Sequence, residues 1–399
     1  MLNQRYSYDS QKRIQPYWSE NVMYNESLAM VQDGEDICAY TLFVPKRIIS
    51  VMDNTLTHTY KEGVDYKWVE GTNCIKLPEG SSIPYFFQGA LDGLESPGSS
   101  AYVKDWDGSF DDSGRCRLGG VLYCTGKFLY EKHVAITYEY DINDAAGVTH
   151  AVYQGDKLPR LIQKIKRGQE ITVLFCGASN FEGCDASGLY NRAPYCPTMS
   201  NLVSDYLNAG GIKARVINQG VGGWNIKQAL ASVRGEQTYD LRGTMVPLVD
   251  AKGKPIGNRF KNQIKDGSVD LLLLGYMGGT NTRYAGFSPQ EHKQYIKEVI
   301  AEFRKYNPEC EVVIMDGTVM NPDSIDYTMD FILGNREVYS ETDGCGIIYL
   351  YQMYRDILAR KRIFVSISGN NVNHPNDWLE RVIAQNILAC FVPGYADKK

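Results

Sequence analysis

ITVLFCGASNFEG, residues 171–183, runs through apolar and β-branched residues, breaks at Gly177 and Ala178, and then presents a serine. A strand that is apolar at successive positions has both faces covered, as parallel strands between helical layers do. Outward from this stretch the same pattern recurs. ARVINQ (214–219), DLLLLGYM (270–277), EVVIMD (311–316) and IFVSIS (363–368) are four further strand-like runs. Helical periods separate them. DKLPRLIQKIKRG sets Leu158, Leu161, Ile162 and Ile165 on one face and leads into the first strand. Ile226, Leu230 and Val233 mark a second helix. Ser288-Pro289-Gln290-Glu291 reads as a capping box with proline at the first helical position, ahead of Tyr295, Ile296, Val299, Ile300 and Phe303. Leu379, Val382, Ile383 and Ile387 mark the last helix. Alternating strands and helices predict a three-layer α/β domain around a doubly wound parallel sheet, whose ligand site lies beyond the carboxyl ends of the strands. Two polar stretches, 235–268 with DAKGKPIGN and 322–345 ending in SETDGCG, interrupt the pattern; each reads as a rim or lid of the site or as surface decoration.

Before residue 150 the chain changes character. CAYTLFVPKRIISVM, YKWVEGTNCIKL and HVAITYEYDI are rich in strand formers and are separated by turn clusters such as DNT, EGTN and GSFDDSG. That pattern predicts an all-β, jelly-roll-like sandwich. The expected organisation is therefore a β domain over 1–150, a lead-in helix over 151–168, and an α/β domain over 169–399.

Composition excludes several classes. The 399 residues are 43% apolar and 22% charged, which is ordinary for a folded protein, and the net charge of −5 gives no reason to expect nucleic acid as a partner. No apolar stretch approaches the ~20 residues of a membrane span. The polar start, MLNQRYSYDSQKRIQPYW, lacks an apolar signal core, so a cytoplasmic location is expected. None of the ten cysteines forms a CxxC pair, and Cys176 and Cys390 sit in apolar runs, so reduced, packed thiols are expected. Five scattered histidines give no zinc-ligand spacing.

Chemistry gathers at the strand ends. Ser179 follows the first strand, either as a reactive hydroxyl facing substrate or as a helix N-cap. Asn218-Gln219-Gly220-Val221-Gly222-Gly223-Trp224 follows the second; its glycines allow close backbone approach and a free N–H for an oxyanion. It is not a dinucleotide loop, because Asn225 stands where GxGxxG needs its third glycine. The third strand is followed by Gly278-Gly279-Thr280-Asn281, which brings a side-chain amide to the same rim. Gly369-Asn370-Asn371-Val372-Asn373-His374-Pro375-Asn376 follows IFVSIS and holds the one histidine of a strand-end loop in this domain. His292 is expected in a solvated first helical turn.

Ser, Gly, Asn and His at four successive strand ends resemble the SGNH superfamily of serine hydrolases, which is named for these residues. Ser179 with Gly183 is similar to its GDSxxxG block, Gly223 to its second-block glycine, Gly279-Thr280-Asn281 to its GxN, and His374-Pro375-Asn376 to its closing HPN. The resemblance spans about residues 170–392 and implies a flavodoxin-like sheet and acyl transfer to water. It implies a Ser179 nucleophile, His374 as base, and an oxyanion hole of the Ser179 and Gly223 N–H groups with the Asn281 amide. Trp224 and Thr280 are then expected to touch substrate, although Trp224 reads equally as a packing residue. No metal or organic cofactor is required.

The chain departs from the family at the acid. Ala178 replaces the Asp of the first block, Thr282 follows GxN where Asp is common, and Asn371 occupies the acid position of D-x-x-H. Three readings stay open: a Ser-His dyad whose ring N–H meets a backbone carbonyl, a different orienting acid such as Asp316 or Asp377, or lost catalysis. A β-sandwich ahead of such a domain resembles two-domain carbohydrate acetylesterases, which implies an acetylated oligosaccharide or a small ester as substrate. The rivals are a lysophospholipase or thioesterase using the same residues, and a carbohydrate-binding protein with an idle fold.

Overall fold

The computed structural model describes residues 14–234, 267–276, 279–324 and 329–397, together with the backbone of a short ribbon, Thr238–Tyr239 with Met245–Val246. Most of the stretch 235–268 therefore lies outside the described residues.

Five parallel strands form the central sheet, in the spatial order Ala214–Asn218, Ile171–Gly177, Leu271–Gly275, Glu311–Met315, Cys345–Ile348. The chain order reverses beside Ile171–Gly177, which makes its carboxyl end the switch-point crevice of a doubly wound sheet. Side chains alternate between two cores. Ile171, Val173, Phe175, Leu271 and Leu273 face one cluster, built with the helices Met199–Ala209, Leu350–Lys361 and Asp377–Phe391. Leu174, Cys176, Leu272 and Leu274 face the other, built with Ile226–Arg234 and Pro289–Tyr306. Both faces are covered, which is why the strands are apolar at every position. The predicted capping box is formed: Ser288 Oγ accepts from Glu291 N–H while the Glu291 carboxylate accepts from Ser288 N–H.

The fifth strand is not IFVSIS. Its place is taken by Cys345–Ile348, at the end of what read as a polar insertion, and that insertion contains a helix, Met329–Ser340. Phe364–Ser366 forms a single 3-10 turn instead. Its apolar character serves another contact: Val365 packs with Ala29, Val31 and Phe86 of the β region, and its carbonyl accepts from His133 Nε2 at 2.9 Å.

The β region contains a four-stranded antiparallel sheet, ordered Val22–Ala29, His133–Tyr140, Pro45–Asp53, Thr59–Tyr60. A five-stranded sheet has Asp36–Tyr40 at its centre, and Arg115–Leu118 with Val121–Cys124 forms a separate hairpin. Met23, Leu28, Val51, Ala39 and Ile75 of the two sheets belong to the same apolar cluster as Ile171 and Val173, so the core runs without a break from the β region into the α/β region. A buried ion pair between Glu26 and Lys361 crosses this junction. All ten cysteines are unbridged.

Candidate active site

The first strand delivers Ser179 to the start of a short helix, Ser179–Glu182, that ends at Gly183 in left-handed backbone (φ 89°). The second strand's loop presses against this turn. A Cβ on Gly220 would lie 2.2 Å from the Glu182 nitrogen, so only glycine lets the two backbones meet. Glu182 fastens them, its carboxylate accepting the Gly222 N–H at 2.7 Å.

The histidine loop is shaped by Asn370. Its side-chain oxygen accepts three successive N–H groups, from Val372, Asn373 and His374, at 2.9, 2.9 and 3.0 Å. Gly369 N–H closes the loop on the His374 carbonyl at 2.9 Å. So held, His374 accepts from Ser179 Oγ at Nε2 (2.9 Å). Its Nδ1 donates to Asp185 Oδ2 at 2.5 Å, and both side chains are largely withdrawn from solvent. A carboxylate is an acceptor only, so this contact places the ring proton on Nδ1 and leaves Nε2 free to receive the serine proton.

Asp185 stands six residues after Ser179, in positive-φ backbone (φ 70°) that Asp tolerates better than most residues. Gly369 makes room for it: an added Cβ there would come within 2.5 Å of the Asp185 Cβ. None of the acids considered from sequence fills this role. Asp316 is buried against Arg336 Nε (2.8 Å) and the Tyr351 N–H (3.1 Å), and burial raises its pKa against the pull of those partners. Asp377 accepts the Ser187 N–H at 2.7 Å, two residues from Asp185, and burial pushes its pKa up to about 6. It steadies the loop that bears Asp185.

Asn371 points the other way. Its amide donates to the carbonyls of Leu91 and Leu122 at 3.2 and 3.1 Å, in the β region, and Asn321 Nδ2 donates to its backbone carbonyl at 2.9 Å. The position needs a donor, which Asn supplies and ionised Asp does not. The expectation of a catalytic Asn371, or of a backbone carbonyl on the ring N–H, is therefore corrected.

A polar pocket surrounds the hydroxyl, lined by Ser179, Asn180, Thr280, Asn281, Thr318 and Asn373 among others. Asn281 is oriented by donating from Nδ2 to the Trp224 carbonyl at 2.9 Å, which leaves its second amide hydrogen for the pocket. Gly223 lies in the same turn as Gly222, in left-handed backbone (φ 76°). Trp224 lines the pocket but is buried, its indole among Ala178, Ile226 and Leu230. Thr280 also lines it, its hydroxyl toward Met320 Sδ at 3.6 Å. His292 is not solvated: it is fully buried between Thr282 Oγ1 and Asn335 Oδ1, at 3.1 Å each, and burial lowers its pKa to about 4. Among the described residues, no group of three His, Cys, Asp or Glu side chains is placed to hold a metal ion, and no helix is long and apolar enough to cross a membrane.

No family model matches the chain, and no curated protein matches it. The similar solved structures include esterases of the SGNH and GDSL type. A two-domain esterase active on acetylated mannans, crystallised with mannopentaose, is 14% identical with a TM-score of 0.40. That match takes in 60% of this chain and 53% of the esterase, about half its length. A member of the lipolytic G-D-S-L family from Veillonella parvula is 16% identical, with a TM-score of 0.38 over 56% of this chain and 99% of that one. A variant of Axe2, an acetyl-xylooligosaccharide esterase from Geobacillus, is 13% identical, with a TM-score of 0.41 over 57% and 97%.

Sequence reasoning named Ser179 and His374 and missed Asp185. The signal available was the string FEGCDASG, an acid in a small-residue loop just past the serine turn. What it lacked was any indication that this loop folds back under the histidine.

Proposed function

We propose that the chain is a serine esterase that removes acetyl groups from acetylated carbohydrate through an acyl-enzyme. The observation that carries this reading is the line Ser179 Oγ, His374 Nε2, His374 Nδ1, Asp185 Oδ2, with contacts of 2.9 and 2.5 Å at the carboxyl edge of the sheet. A serine hydroxyl is a weak nucleophile until a base takes its proton, and the base acts when a third group fixes its tautomer.

His374 removes the Ser179 proton as the oxygen attacks the ester carbonyl. The Asp185 carboxylate stabilises the imidazolium that forms. The backbone N–H groups of Ser179 and Gly223, with the free hydrogen of the Asn281 amide, receive the oxyanion; removing one such donor costs on the order of 10²–10³ in turnover. His374 then protonates the leaving alcohol, and water repeats the sequence on the acyl-serine to release acetate and restore Ser179.

The polar lining of the pocket supports a short acyl group. Asn180, Thr280, Thr318 and Asn373 offer hydrogen bonds, and the apolar wall is confined to Ala178, Trp224 and Tyr276. The β region, read as a jelly-roll-like sandwich over 1–150, is an accessory module to the hydrolase region over 169–399, and it closes against the histidine loop through Asn371. The test is acetate release from acetylated xylo- and manno-oligosaccharides by the protein and its Ser179→Ala variant, with p-nitrophenyl acetate and butyrate as controls. Release from the sugars that disappears in the variant is the expected result. Hydrolysis of butyrate without release from sugars would move the substrate to lipid or thioester, and no turnover at all by the folded protein would end the esterase reading.

A further inference from the structure

Beside the serine pocket the β region builds an aromatic shelf that the chemistry above does not use. Trp106 packs edge-on against Phe110 (centroids 4.9 Å) and tilted against Tyr123 (5.7 Å), and Phe110 meets Tyr123 at 4.9 Å. The stack runs from outside to inside: Trp106 is 41% exposed, while Phe110 and Tyr123 are half-buried. Nearby, Tyr102 is 51% exposed under the Arg117 guanidinium, 4.3 Å from its ring centre.

The shelf is fixed in place. The Trp106 backbone N–H donates to the Arg117 carbonyl at 2.8 Å, the Arg117 backbone N–H to the Lys104 carbonyl at 2.8 Å, and Arg117 Nε to the Asp92 carbonyl at 3.0 Å. These bonds hold the backbone that carries the shelf, while the Trp106 and Tyr102 rings stay partly exposed and belong to no apolar core cluster.

Its inner end touches the site. Tyr123 packs on the cluster of Val121, Met320 and Val372. Met320 receives the Thr280 hydroxyl, and Val372 precedes Asn373; Thr280 and Asn373 both line the pocket around Ser179. Burial raises the Tyr123 phenol pKa, and the charge of Asp185 raises it further, which places that ring within electrostatic reach of the triad.

The chemistry of the shelf selects its occupant. Three cations beside it are paired with acids: Lys104 with Asp107 at 2.5 Å, Arg115 with Asp111 at 3.2 Å, Arg117 with Asp105 at 3.8 Å. Flat aromatic faces within a rim of balanced charges suit a neutral molecule having an apolar face and hydroxyl edges, which describes a pyranose ring. The acids Asp105, Asp107 and Asp111 set among these cations disfavour a polyanion or an acidic peptide.

We propose that Trp106 and Tyr102 form a subsite for sugar rings beyond the one that carries the acetyl group, so that the β region selects chains over single sugars. The proposal rests on the carbohydrate reading of the site. The first test is kcat/KM for acetylated xylo- or manno-oligosaccharides of increasing length, divided by kcat/KM for p-nitrophenyl acetate, which is too short to reach the shelf. In the unaltered protein this ratio should rise with chain length. In Trp106→Ala it should fall about tenfold for the longer chains, the worth of one well-placed aromatic face, and Trp106→Tyr should restore most of it.

A ratio that is independent of length while acetate is still released would overturn the shelf and leave the esterase reading standing. A loss in Trp106→Ala equal on both substrates, with a lower unfolding midpoint, would assign the residue to folding and overturn the proposal. The second measurement needs no turnover: deacetylated oligosaccharides are titrated into Ser179→Ala and tryptophan fluorescence is followed. Saturable quenching in Ser179→Ala that Ser179→Ala/Trp106→Ala lacks supports the subsite even if the acetyl specificity is wrong; quenching in neither overturns it. A change of oligomeric state in Trp106→Ala by sedimentation would mark the shelf as a contact between copies and overturn it as well.

Discussion

Asp185 and His374, 189 residues apart in the chain, meet at 2.5 Å, so the carboxylate on the ring comes from the segment that directly follows Ser179. In the D-x-x-H arrangement the acid and the base share a loop, and here that place is filled by Asn371. The carboxylate on the ring comes instead from Asp185, for which Gly369 leaves space. Asp185→Asn should therefore cost about 10³–10⁴ in kcat on p-nitrophenyl acetate, because an amide can donate to Nδ1 and drive the ring proton onto Nε2, where it blocks proton transfer from Ser179. The unfolding midpoint should move little. A kcat within tenfold of the unaltered protein would show that the carboxylate does not orient the ring.

Asn371→Asp, the change that recreates the D-x-x-H pattern, should impair the protein instead of improving it. The amide hydrogens on the Leu91 and Leu122 carbonyls would be replaced by an oxygen facing two oxygens, in a site that is 1% exposed. Losing both bonds in a buried site costs about 2–4 kcal/mol. Urea unfolding measures the loss, and turnover should fall because the same loop carries His374. An unchanged midpoint with higher turnover would mean that the loop can turn Asn371 toward the ring.

Ser179 was legible because strand ends are, whereas His374 was reached through its HPN string and through an apolar run, IFVSIS, that is not a strand. A run of apolar residues that breaks into glycine and a small polar residue marks the edge of a parallel sheet, and the edge is where such folds bind. Asp185 was not legible because its position depends on a loop closing across the sheet edge, which leaves no period and no local spacing. IFVSIS misled for a related reason. Val365 is buried and Ile363 partly buried with Ala29 and Phe86 of the β region, while Phe364 and Ile367 join the main core, and hydropathy records burial without naming the partner. His292 misled through its position: a first helical turn is commonly wet, yet here Asn335 of a neighbouring helix covers it.

His133 carries a pH prediction. Burial pushes its pKa down to about 4, the Lys361 charge adding to that, while the bond to the Val365 carbonyl opposes it. The folded state thus holds the ring neutral where the unfolded chain, near 6.5, protonates it. Its contribution to stability is complete above pH 6.5, is lost as pH falls from 6.5 to 4, and stays lost below that. The gap bounds the loss at about 3 kcal/mol. In His133→Gln, where the amide can still donate to Val365, the fall in unfolding free energy from pH 7 to 4 should be smaller by up to that amount. Curves of equal slope in urea titrations across this range would show that His133 does not titrate on unfolding.

The Glu26–Lys361 pair tests whether the β region and the α/β region stand or fall together. Both side chains are completely buried, and Glu26 also accepts the Leu42 N–H at 2.8 Å and the Tyr138 hydroxyl at 2.6 Å, while Lys361 donates to the Ser27 carbonyl at 2.9 Å. Glu26 sits on the first strand of the β region and Lys361 on the helix Leu350–Lys361 of the α/β region, so the pair stitches the shared core. Lys361→Met leaves a buried carboxylate without its cation and should cost about 3–5 kcal/mol. Adding Glu26→Gln removes the stranded charge and should recover most of that loss, since a neutral side chain still accepts from Leu42. Because one core serves both regions, esterase activity and the fluorescence of the buried Trp18 and Trp378 should disappear at the same urea concentration in each variant. Activity that outlasts the fluorescence change would mean that the α/β region holds its own structure, and that the pair joins two modules instead of binding one.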